Sequence, residues 1–349
     1  MKLALTLLAK NEADVIDANV AFHLAAGVDF VIATDNGSTD GTTQILERYE
    51  QLGVLELIRE PSTDFQQGQW VTRMARRAAE RGADWVVNAD ADEFWWPRGG
   101  DLKEALERLP RRYGVIHGLW RPFVPRPDDD AHFAERLTVR LSEHAAIHDP
   151  SSPFRPARKS VHRARADVRV RDGNHDVEAP SLVRLHGWYP FEILHLPLRT
   201  RAQIDRKYSG GADRGLRFAA DEARIAAAAD ALVVDDDELT RGLESGVLTH
   251  DTRLRDQLRT LAGVDALPRA DEGQPMFRVP AHGDAAPTFA RPSVVDDALF
   301  AVEAAVVSEA DDVRLRRQVD QLERRLQSLE TRVGPRVERR LRRFVRRSP

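Results

Sequence analysis

Short apolar runs alternate with stretches of helical periodicity through the first quarter of the chain. Four runs have the composition of buried strands, namely Leu3–Ala9, Phe30–Ala33, Leu55–Ile58 and Trp85–Val87. The stretches between them repeat their apolar positions with helical spacing, over residues 13–26, 42–52 and 69–81. This alternation predicts an α/β fold with a mostly parallel sheet, flanked by helices and joined by right-handed crossovers.

The pattern is less regular after residue 100. It predicts a helix over 102–109, strands over 114–120 and 137–141, and loops rich in proline and charge over 121–135 and 149–160. Helical, Ala-rich sequence fills 217–262, and Pro, Gly and Asp dominate 263–295. We therefore divide the chain into a main α/β domain (1–215), a helical extension (216–262), a linker or strap (263–295) and a C-terminal helical region (296–349).

The C-terminal region has a heptad pattern followed by a basic end. Apolar residues spaced 4-3-4-3-4 predict a coiled coil and a homo-oligomer, and they are Leu315, Val319, Leu322, Leu326, Leu329 and Val333. Residues 313–349 contain thirteen Arg against four acidic residues. This charge favours docking on an anionic surface, and two readings stay open: a helix on anionic lipid, or a solvated basic end.

Composition narrows the function classes. With no cysteine, disulfides, thiolate catalysis and zinc-thiolate sites are excluded. The first run, Leu3–Leu8, is too short for a signal peptide, and no run of about 18 apolar residues occurs in the sequence. We therefore expect a cytoplasmic protein, peripheral at the inner face of the cell membrane if the basic end binds lipid.

Polar side chains follow three of the predicted strands. Asn11–Glu12, Asp35 and the pair Asp90 and Asp92 stand where ligands of parallel sheets bind, beyond the carboxyl ends of the strands. If residues 85–92 stay extended, Asp90 and Asp92 point to the same face, and their oxygens suit Mg²⁺ or Mn²⁺. The alternative is an acidic turn that caps the next helix, and the Asp-x-Asp pattern alone favours that alternative.

Three motifs together resemble a known family. Leu8–Glu12, Asp35–Thr42 and Asp90–Phe94 are similar to the motifs of family 2 glycosyltransferases with the GT-A fold. The resemblance implies a GT-A-like catalytic domain and a metal-dependent transfer of sugar from a nucleotide-sugar donor. It places the base and ribose near Asn11, Glu12 and Asp35, and the diphosphate on Mn²⁺ or Mg²⁺ held by Asp90 and Asp92.

Later segments resemble the basic and His elements of the same branch. These are Lys159–Val161, Gly173–Asp176, His195–Arg199 and Lys207. The likeness implies that His175 or His195 is a third metal ligand, although a lone His is more often structural. It also implies that Arg199, Arg201 and Lys207 neutralise the departing diphosphate.

An inverting transfer requires a carboxylate that removes the acceptor's proton. Asp176 is the first candidate for this base, followed by Glu93 and Glu192. Aromatic side chains suit the CH-rich faces of sugars, and Trp95–Trp96, beside the acidic motif, is the preferred stacking site. Further candidates for stacking are Trp120, Trp188 and Tyr189.

Two rival functions are weighed against this interpretation. A nucleotidyltransferase should carry a phosphate loop rich in Gly and Lys or Arg after its first strand, and Lys10–Ala13 lacks one. A non-catalytic scaffold would keep the fold and assemble partners through its coiled coil. Our expected partners are a nucleotide-sugar donor and a cell-surface glycan or glycolipid acceptor, with no nucleic acid.

Overall fold

The computed structural model describes residues 1–62, 66–142, 157–203, 233–268, 276–279 and 289–305. Contacts group Met1–Ala304 into one compact unit and Ala305–Pro349 into another. The predicted domain boundary at 215, Lys207, the heptads over 315–333 and the basic end all lie outside the described residues. No helix among the described residues is long and apolar enough to cross a membrane.

The N-terminal part is a succession of strands and helices, as the apolar pattern predicts. Its elements are β1 (Leu3–Ala9), α1 (Ile16–Ala25), β2 (Phe30–Asp35), α2 (Thr42–Gln51), β3 (Leu55–Arg59), α3 (Gln67–Glu80) and β4 (Trp85–Asp90). The four strands pair in parallel in the order β3-β2-β1-β4. Ala9 lies opposite Asp35 and Leu8 lies opposite Asp90, so these three strands end at the same edge of the sheet.

The rest of the chain completes the sheet and covers it. Its elements are β5 (Glu93–Pro97), α4 (Leu102–Glu107), β6 (Tyr113–Pro122), α5 (Phe133–Arg136), β7 (Val139–Leu141), β8 (Arg158–Arg163), β9 (Arg169–Val170), β10 (Val177–Glu178), β11 (Val183–Arg184), β12 (Phe191–His195), α6 (Asp236–Glu244), β13 (Leu248–His250), α7 (Arg253–Ala262) and a helix over residues 294–305. The sheet continues β4-β8-β6-β12-β5, with β11 beside β6. The predicted loop 149–160 was wrong at its end, because β8 begins at Arg158.

Strand direction decides which residues reach the edge where β1, β2 and β4 end. β8 is antiparallel to both β4 and β6, so β6 runs parallel to β4, and β12 runs parallel to β6. The end of β6 and the end of β12 therefore lie at the same edge, which we call the carboxyl edge. Since β8 runs the other way, its first residues also lie there. The carboxyl edge thus gathers residues from six elements of the sheet.

The described part of the predicted helical extension is packed on the main unit. β13 pairs with β7, and Leu254 and Leu258 of α7 are buried in the main core. The predicted strap contacts the same unit through Asp17 of α1, whose carboxylate accepts hydrogen bonds from the backbone NH groups of Met276 and Phe277. The described parts of the predicted extension and of the predicted strap therefore belong to the same folded unit as the main domain.

The aromatic core includes the predicted sugar-stacking site, which is a correction to that prediction. Trp95 is 0% exposed and Trp96 is 9% exposed. A Cβ on Gly118 would lie 2.9 Å from both Trp95 and Ile193, so β6 needs glycine at this position to approach them closely. Burial of rings of this size contributes about 1.5–3 kcal/mol each, which explains why this pair packs inside. Sugars cannot reach either indole.

Three buried histidines make stability depend on pH. Burial lowers the pKa of His23, His132 and His162 to about 4. Because these pKa values lie below the value of about 6.5 in the unfolded chain, the stabilisation is complete above pH 6.5 and is lost as pH falls towards 4. At pH 5 each ring should cost about 2 kcal/mol. Urea unfolding at pH 7 and pH 5 measures this loss.

The variant His162→Gln identifies one of the three contributions. Its free energy of unfolding should fall between pH 7 and pH 5 by about 2 kcal/mol less than that of the wild type. An equal fall in both proteins would show that the buried ring is not the titrating group.

Candidate active site at the carboxyl edge

The loops after β1 and β2 are locked together by the side chains predicted to bind the donor. Asn11 has a φ of 55°, and its Oδ1 accepts a hydrogen bond of 2.8 Å from the backbone NH of Thr39. Asp35 accepts 2.5 Å from the hydroxyl of Ser38 and 2.6 Å from the hydroxyl of Thr43. A carboxylate oxygen can accept two hydrogen bonds, so a ribose hydroxyl or a base imide can bind Oδ2 of Asp35 beside the hydroxyl of Thr43.

Glu12 lies deeper, in a buried group of charges around Arg199. The Arg199 side chain is 0% exposed, and its guanidinium binds Glu12, Asp14 at 2.7 Å and the carbonyl oxygen of Leu196 at 3.0 Å. Burial alone would lower the pKa of Arg199, but Asp14 and Glu12 outweigh it and raise this pKa. The predicted diphosphate contact of Arg199 is corrected: a wholly buried guanidinium fastens the loop after β12 to the loop after β1.

The acidic motif does not stay extended, so the prediction that Asp90 and Asp92 point to the same strand face was wrong. β4 ends at Asp90, and Asp92 lies in the turn before β5. The side chain of Asp90 is 28% exposed, whereas that of Asp92 is 4% exposed. Asp92 Oδ1 lies 3.7 Å from Nε2 of His195, and its Oδ2 lies 3.9 Å from Nη1 of Arg199. The turn leaves Asp90 as the accessible carboxylate of the pair.

A buried lysine holds Asp90 in place. Nζ of Lys159, at the start of β8, lies 2.7 Å from Asp90 Oδ2 and 2.7 Å from Glu93 Oε1. Burial alone would lower the pKa of Lys159, but the two carboxylates outweigh it and raise this pKa. The other oxygen of Asp90 accepts hydrogen bonds from Gln67 at 3.2 Å and Asn174 at 3.1 Å. Gln67, Lys159 and Asn174, which all contact Asp90, come from three separate parts of the chain.

Glu93 is corrected as a candidate base. Its side chain is 0% exposed and accepts hydrogen bonds from the indole NH of Trp120 at 2.9 Å and the backbone NH of Asp90 at 3.1 Å. Burial raises its pKa to about 8, with the charges of Asp90 and Asp92 adding to the effect and Lys159 opposing it. An acceptor hydroxyl cannot reach this carboxylate, which instead positions its neighbours.

Glu192 is corrected for a similar reason. Its carboxylate is bound by three guanidinium groups, those of Arg98 at 3.1 Å, Arg121 at 3.0 Å and Arg253 at 2.6 Å. Burial opposes ionisation, but these arginines outweigh it and lower the pKa of Glu192 strongly. A carboxylate held by three cations in the interior is a poor proton acceptor, and its role is structural.

Trp120 joins the two predicted metal-ligand histidines. Its ring stacks on His195 with centroids 4.1 Å apart and an angle of 21° between the planes. The ring of His175 approaches the same indole edge-on at 5.9 Å, and Nδ1 of His175 lies 2.8 Å from the carbonyl oxygen of Arg158. His195 is nearly buried beside Asp92, while His175 is exposed. The two imidazoles therefore contact the same indole, one nearly buried and the other exposed.

With Glu93 and Glu192 set aside, Asp176 remains the candidate base. Its side chain is 22% exposed, and its Oδ2 lies 2.9 Å from Nη2 of Arg184. Burial opposes ionisation, but His117 and Arg184 outweigh it and lower the pKa of Asp176. The group is therefore ionised at neutral pH and can accept a proton.

The residues that the structure describes contain no group of three His, Asp or Glu side chains arranged to hold a metal ion. Asp90 and Asp92 supply the hard oxygen donors that Mg²⁺ and Mn²⁺ prefer, and His195 lies beside Asp92. Such ions commonly take most of their ligands from water and from substrate phosphates. The donor chemistry therefore fits a metal held by two carboxylates, and Lys159 is its direct competitor for Asp90.

Comparison with known proteins shows which family part of this sequence resembles. Residues 7–164 match the family model of Glycosyl transferase family 2. No curated protein matches the chain. Similar solved structures include S. aureus TarS 1-349, which is 14% identical over 70% of this chain and 72% of that chain, with a TM-score of 0.35.

The TarS 1-349 complex with UDP-GlcNAc is 15% identical over 70% of this chain and 73% of that chain, with a TM-score of 0.36. Glucosyl-3-phosphoglycerate synthase from Mycobacterium tuberculosis in complex with phosphoglyceric acid is 19% identical over 34% of this chain and 44% of that chain, with a TM-score of 0.25. The assignment rests on the sequence match, which spans Asn11, Asp35, Asp90, Asp92 and Lys159. The resemblance seen in the sequence is confirmed over residues 7–164, which are similar to Glycosyl transferase family 2.

Proposed function

We propose that this protein transfers a sugar from a nucleotide-sugar donor to an acceptor hydroxyl at the carboxyl edge. The observation that carries the proposal is the meeting of Asp35, Asp90 and Asp92 at one edge of the sheet, with Asp90 partly open to solvent. Ligands of parallel sheets bind at this edge. For the acceptor we propose a cell-surface glycan or glycolipid, because the basic C-terminal end favours an anionic membrane surface.

The donor would lie across the loops after β1, β2 and β4. Asn11 and Asp35 are proposed to position the base and ribose, with Glu12 holding their loop from beneath through Arg199, and Asp90 and Asp92 to hold Mn²⁺ or Mg²⁺. When bound, the metal would neutralise charge on the leaving nucleoside diphosphate, which is where the transition state needs stabilisation. His195, which lies beside Asp92, is proposed as a third metal ligand, and Lys207 is proposed to neutralise the departing diphosphate.

Asp176 is proposed as the base of an inverting transfer. The acceptor oxygen forms a bond to the anomeric carbon while the bond from that carbon to the diphosphate oxygen breaks. The acceptor's proton passes to a carboxylate oxygen of Asp176, which Arg184 and His117 keep ionised. Of the three candidate bases, Asp176 is the one whose side chain is partly exposed, at 22%.

The test is a turnover assay on the full chain. With a nucleotide sugar and divalent metal, the protein should release nucleoside diphosphate, and Asp176→Asn should lower kcat by about 10²-fold while the donor Kd stays unchanged. Donor binding without any turnover would favour the scaffold, and pyrophosphate release from a nucleoside triphosphate plus a sugar phosphate would favour a nucleotidyltransferase. Either of these results would overturn the proposal.

We also propose that the heptads over 315–333 form a homo-oligomer and that the basic end binds anionic lipid. Deleting residues 313–349 removes thirteen Arg, each worth about 1 kcal/mol at an anionic surface if it reaches that surface. The truncated protein should lose oligomers or binding to phosphatidylglycerol vesicles, while turnover of soluble substrates should stay within about twofold of the full chain. Unchanged sedimentation together with unchanged vesicle binding would contradict both roles.

A further inference from the structure

Lys159 is a buried lysine whose ammonium group lies among the carboxylates of the acidic motif. Its side chain is 2% exposed, and its Nζ lies 2.7 Å from Oδ2 of Asp90 and 2.7 Å from Oε1 of Glu93. The same Nζ lies 5.0 Å from the ring centroid of Trp120, which is the range of a cation–π contact. A lysine is seldom buried unless it is paired, and this one is paired with two carboxylates. The chain itself therefore supplies a positive charge at this site.

Glu93 holds this ammonium group independently of Asp90. The Glu93 side chain is 0% exposed. Its Oε1 also accepts a hydrogen bond of 2.9 Å from the indole NH of Trp120, and its Oε2 accepts one of 3.1 Å from the backbone NH of Asp90. Because these partners fix Glu93, the ammonium group stays beside Asp90 even if the Asp90 side chain changes partners. The charge of Lys159 is thus a fixed part of the site.

The oxygens of Asp90 have little capacity left for another partner. Oδ1 accepts hydrogen bonds from the side-chain amides of Gln67 at 3.2 Å and Asn174 at 3.1 Å. Oδ2 accepts one from Lys159 at 2.7 Å. Each carboxylate oxygen has about two acceptor positions, so the described residues fill those of Oδ1 and leave one on Oδ2. A cation that binds Asp90 therefore meets the charge of Lys159.

This charge has opposite effects on a bare metal ion and on a complex of metal and diphosphate. Like charges repel, so the ammonium group opposes binding of Mg²⁺ or Mn²⁺ alone to Asp90. A complex of the ion with a nucleoside diphosphate is anionic, and an ammonium group attracts phosphate oxygens. Burial strengthens both effects, because charges are screened less in the protein interior than in water. The arrangement therefore favours the metal together with the diphosphate over the metal alone.

We propose that Lys159 makes metal binding depend on the donor, because it opposes bare divalent ions at Asp90 and favours their complex with a nucleoside diphosphate. The inference rests on the proposed function, since it concerns the donor site at the carboxyl edge. Lys159 acts on the metal through Asp90, so it is a positioning residue. By linkage, a nucleoside diphosphate that tightens metal binding is itself bound more tightly, by the same factor, when the metal is present.

Mn²⁺ binding to the full chain tests this role without turnover, through the loss of the electron paramagnetic resonance signal of free Mn²⁺. Lys159→Met combined with Glu93→Gln removes one positive and one negative charge, so the summed charge of the two positions is unchanged. Without nucleotide, this double variant should bind Mn²⁺ at least tenfold more tightly than the wild type. Glu93→Gln alone keeps the lysine and should bind Mn²⁺ no more tightly than the wild type. Loss of a merely structural lysine would not increase metal affinity.

The matched control removes an ion pair of the same length at the opposite edge of the sheet. Nζ of Lys103 lies 2.7 Å from Asp29, which directly precedes β2, and the two side chains are 27% and 29% exposed. Lys103→Met combined with Asp29→Asn makes the same change of charges away from the acidic motif. Its dissociation constant for Mn²⁺ should equal that of the wild type.

UDP, GDP and dTDP are the probes for the dependence on the donor. In the wild type, one of them at saturation should lower the dissociation constant for Mn²⁺ by about 100-fold, and in the double variant by about tenfold or less. The inference is overturned if the double variant binds Mn²⁺ no more tightly than the wild type, or if none of the three probes tightens Mn²⁺ binding to the wild type. The second measurement needs no variant, so it decides even if the double variant does not fold. Failure of the proposed function alone gives another result, in which both binding predictions hold but no nucleotide sugar is turned over.

Discussion

Replacing Arg199 by methionine should lower the free energy of unfolding by about 3–5 kcal/mol, the range for breaking a buried ion pair. The guanidinium is 0% exposed, and its removal leaves the carboxylates of Glu12 and Asp14 without their cation. Asp92, 3.9 Å away, loses a neighbouring positive charge as well. Urea unfolding of the full chain at pH 7 measures the loss.

Two controls show that the effect belongs to this buried group. Arg199→Lys should retain the charge but lose the bidentate contact with Asp14, and its stability should fall between that of the wild type and that of the methionine variant. Arg59→Met breaks an ion pair on the surface, in which the Arg59 side chain is 53% exposed and the Glu47 side chain is 39% exposed. This change should lower the free energy of unfolding by less than about 1 kcal/mol. If Arg199→Met were no more destabilising than Arg59→Met, the buried charge group would not hold the loops together.

Asp90→Asn and Asp92→Asn should each lower turnover by about 10³-fold while the fold is retained. Asparagine keeps the shape of the side chain but removes the negative charge that a metal-diphosphate complex would require. Asp90→Asn should weaken metal-dependent donor binding more than Asp92→Asn, because Asp90 is the more exposed carboxylate. Nucleoside diphosphate release and donor titration, with and without Mn²⁺, measure both effects.

The control for this pair is an acidic residue away from the edge. Asp167→Asn changes a carboxylate that is 47% exposed, and it should leave turnover and donor affinity unchanged. Equal losses in Asp167→Asn would point to a general charge effect. Full activity in both Asp90→Asn and Asp92→Asn would remove the acidic motif from the mechanism.

The sequence predicted the first four strands and the edge at which they end, since each strand is a local apolar run. A parallel order also places Asp35 and Asp90 beside the end of β1 without further information. This part of the fold depends on short-range patterns, and the structure confirms the prediction of a mostly parallel sheet flanked by helices.

The antiparallel additions depend on pairing between distant segments, and the sequence did not predict them. β5 and β12 pair residue by residue across about a hundred positions, and β8 enters between β4 and β6. Their sequences contain charged residues such as Lys159 and Glu192, which look like surface positions until their partners are known. Only the pairing shows that each charge is buried against an opposite charge.

The same limit applies to the site. The roles proposed for Glu93, Arg199 and Trp95 followed from residue type and from nearness to a motif, which carry no information about burial. The bridge from Lys159 to Asp90 and Glu93 joins β8 to the end of β4 and the start of β5. One signal in the sequence could have predicted this bridge. Lys159 stands near the apolar Val161, and a lysine in a buried segment requires a carboxylate partner.

The most direct test is a thermal-shift screen of UDP-, GDP-, dTDP- and CMP-linked sugars, each with and without Mn²⁺, on the wild type and on Asp90→Asn. A ligand that binds only the native state raises the melting temperature by mass action. We expect that one nucleotide class stabilises the wild type, that this stabilisation requires metal, and that Asp90→Asn abolishes it. No shift with any donor in a folded wild type, or an equal shift in Asp90→Asn, would contradict a donor site at the carboxyl edge.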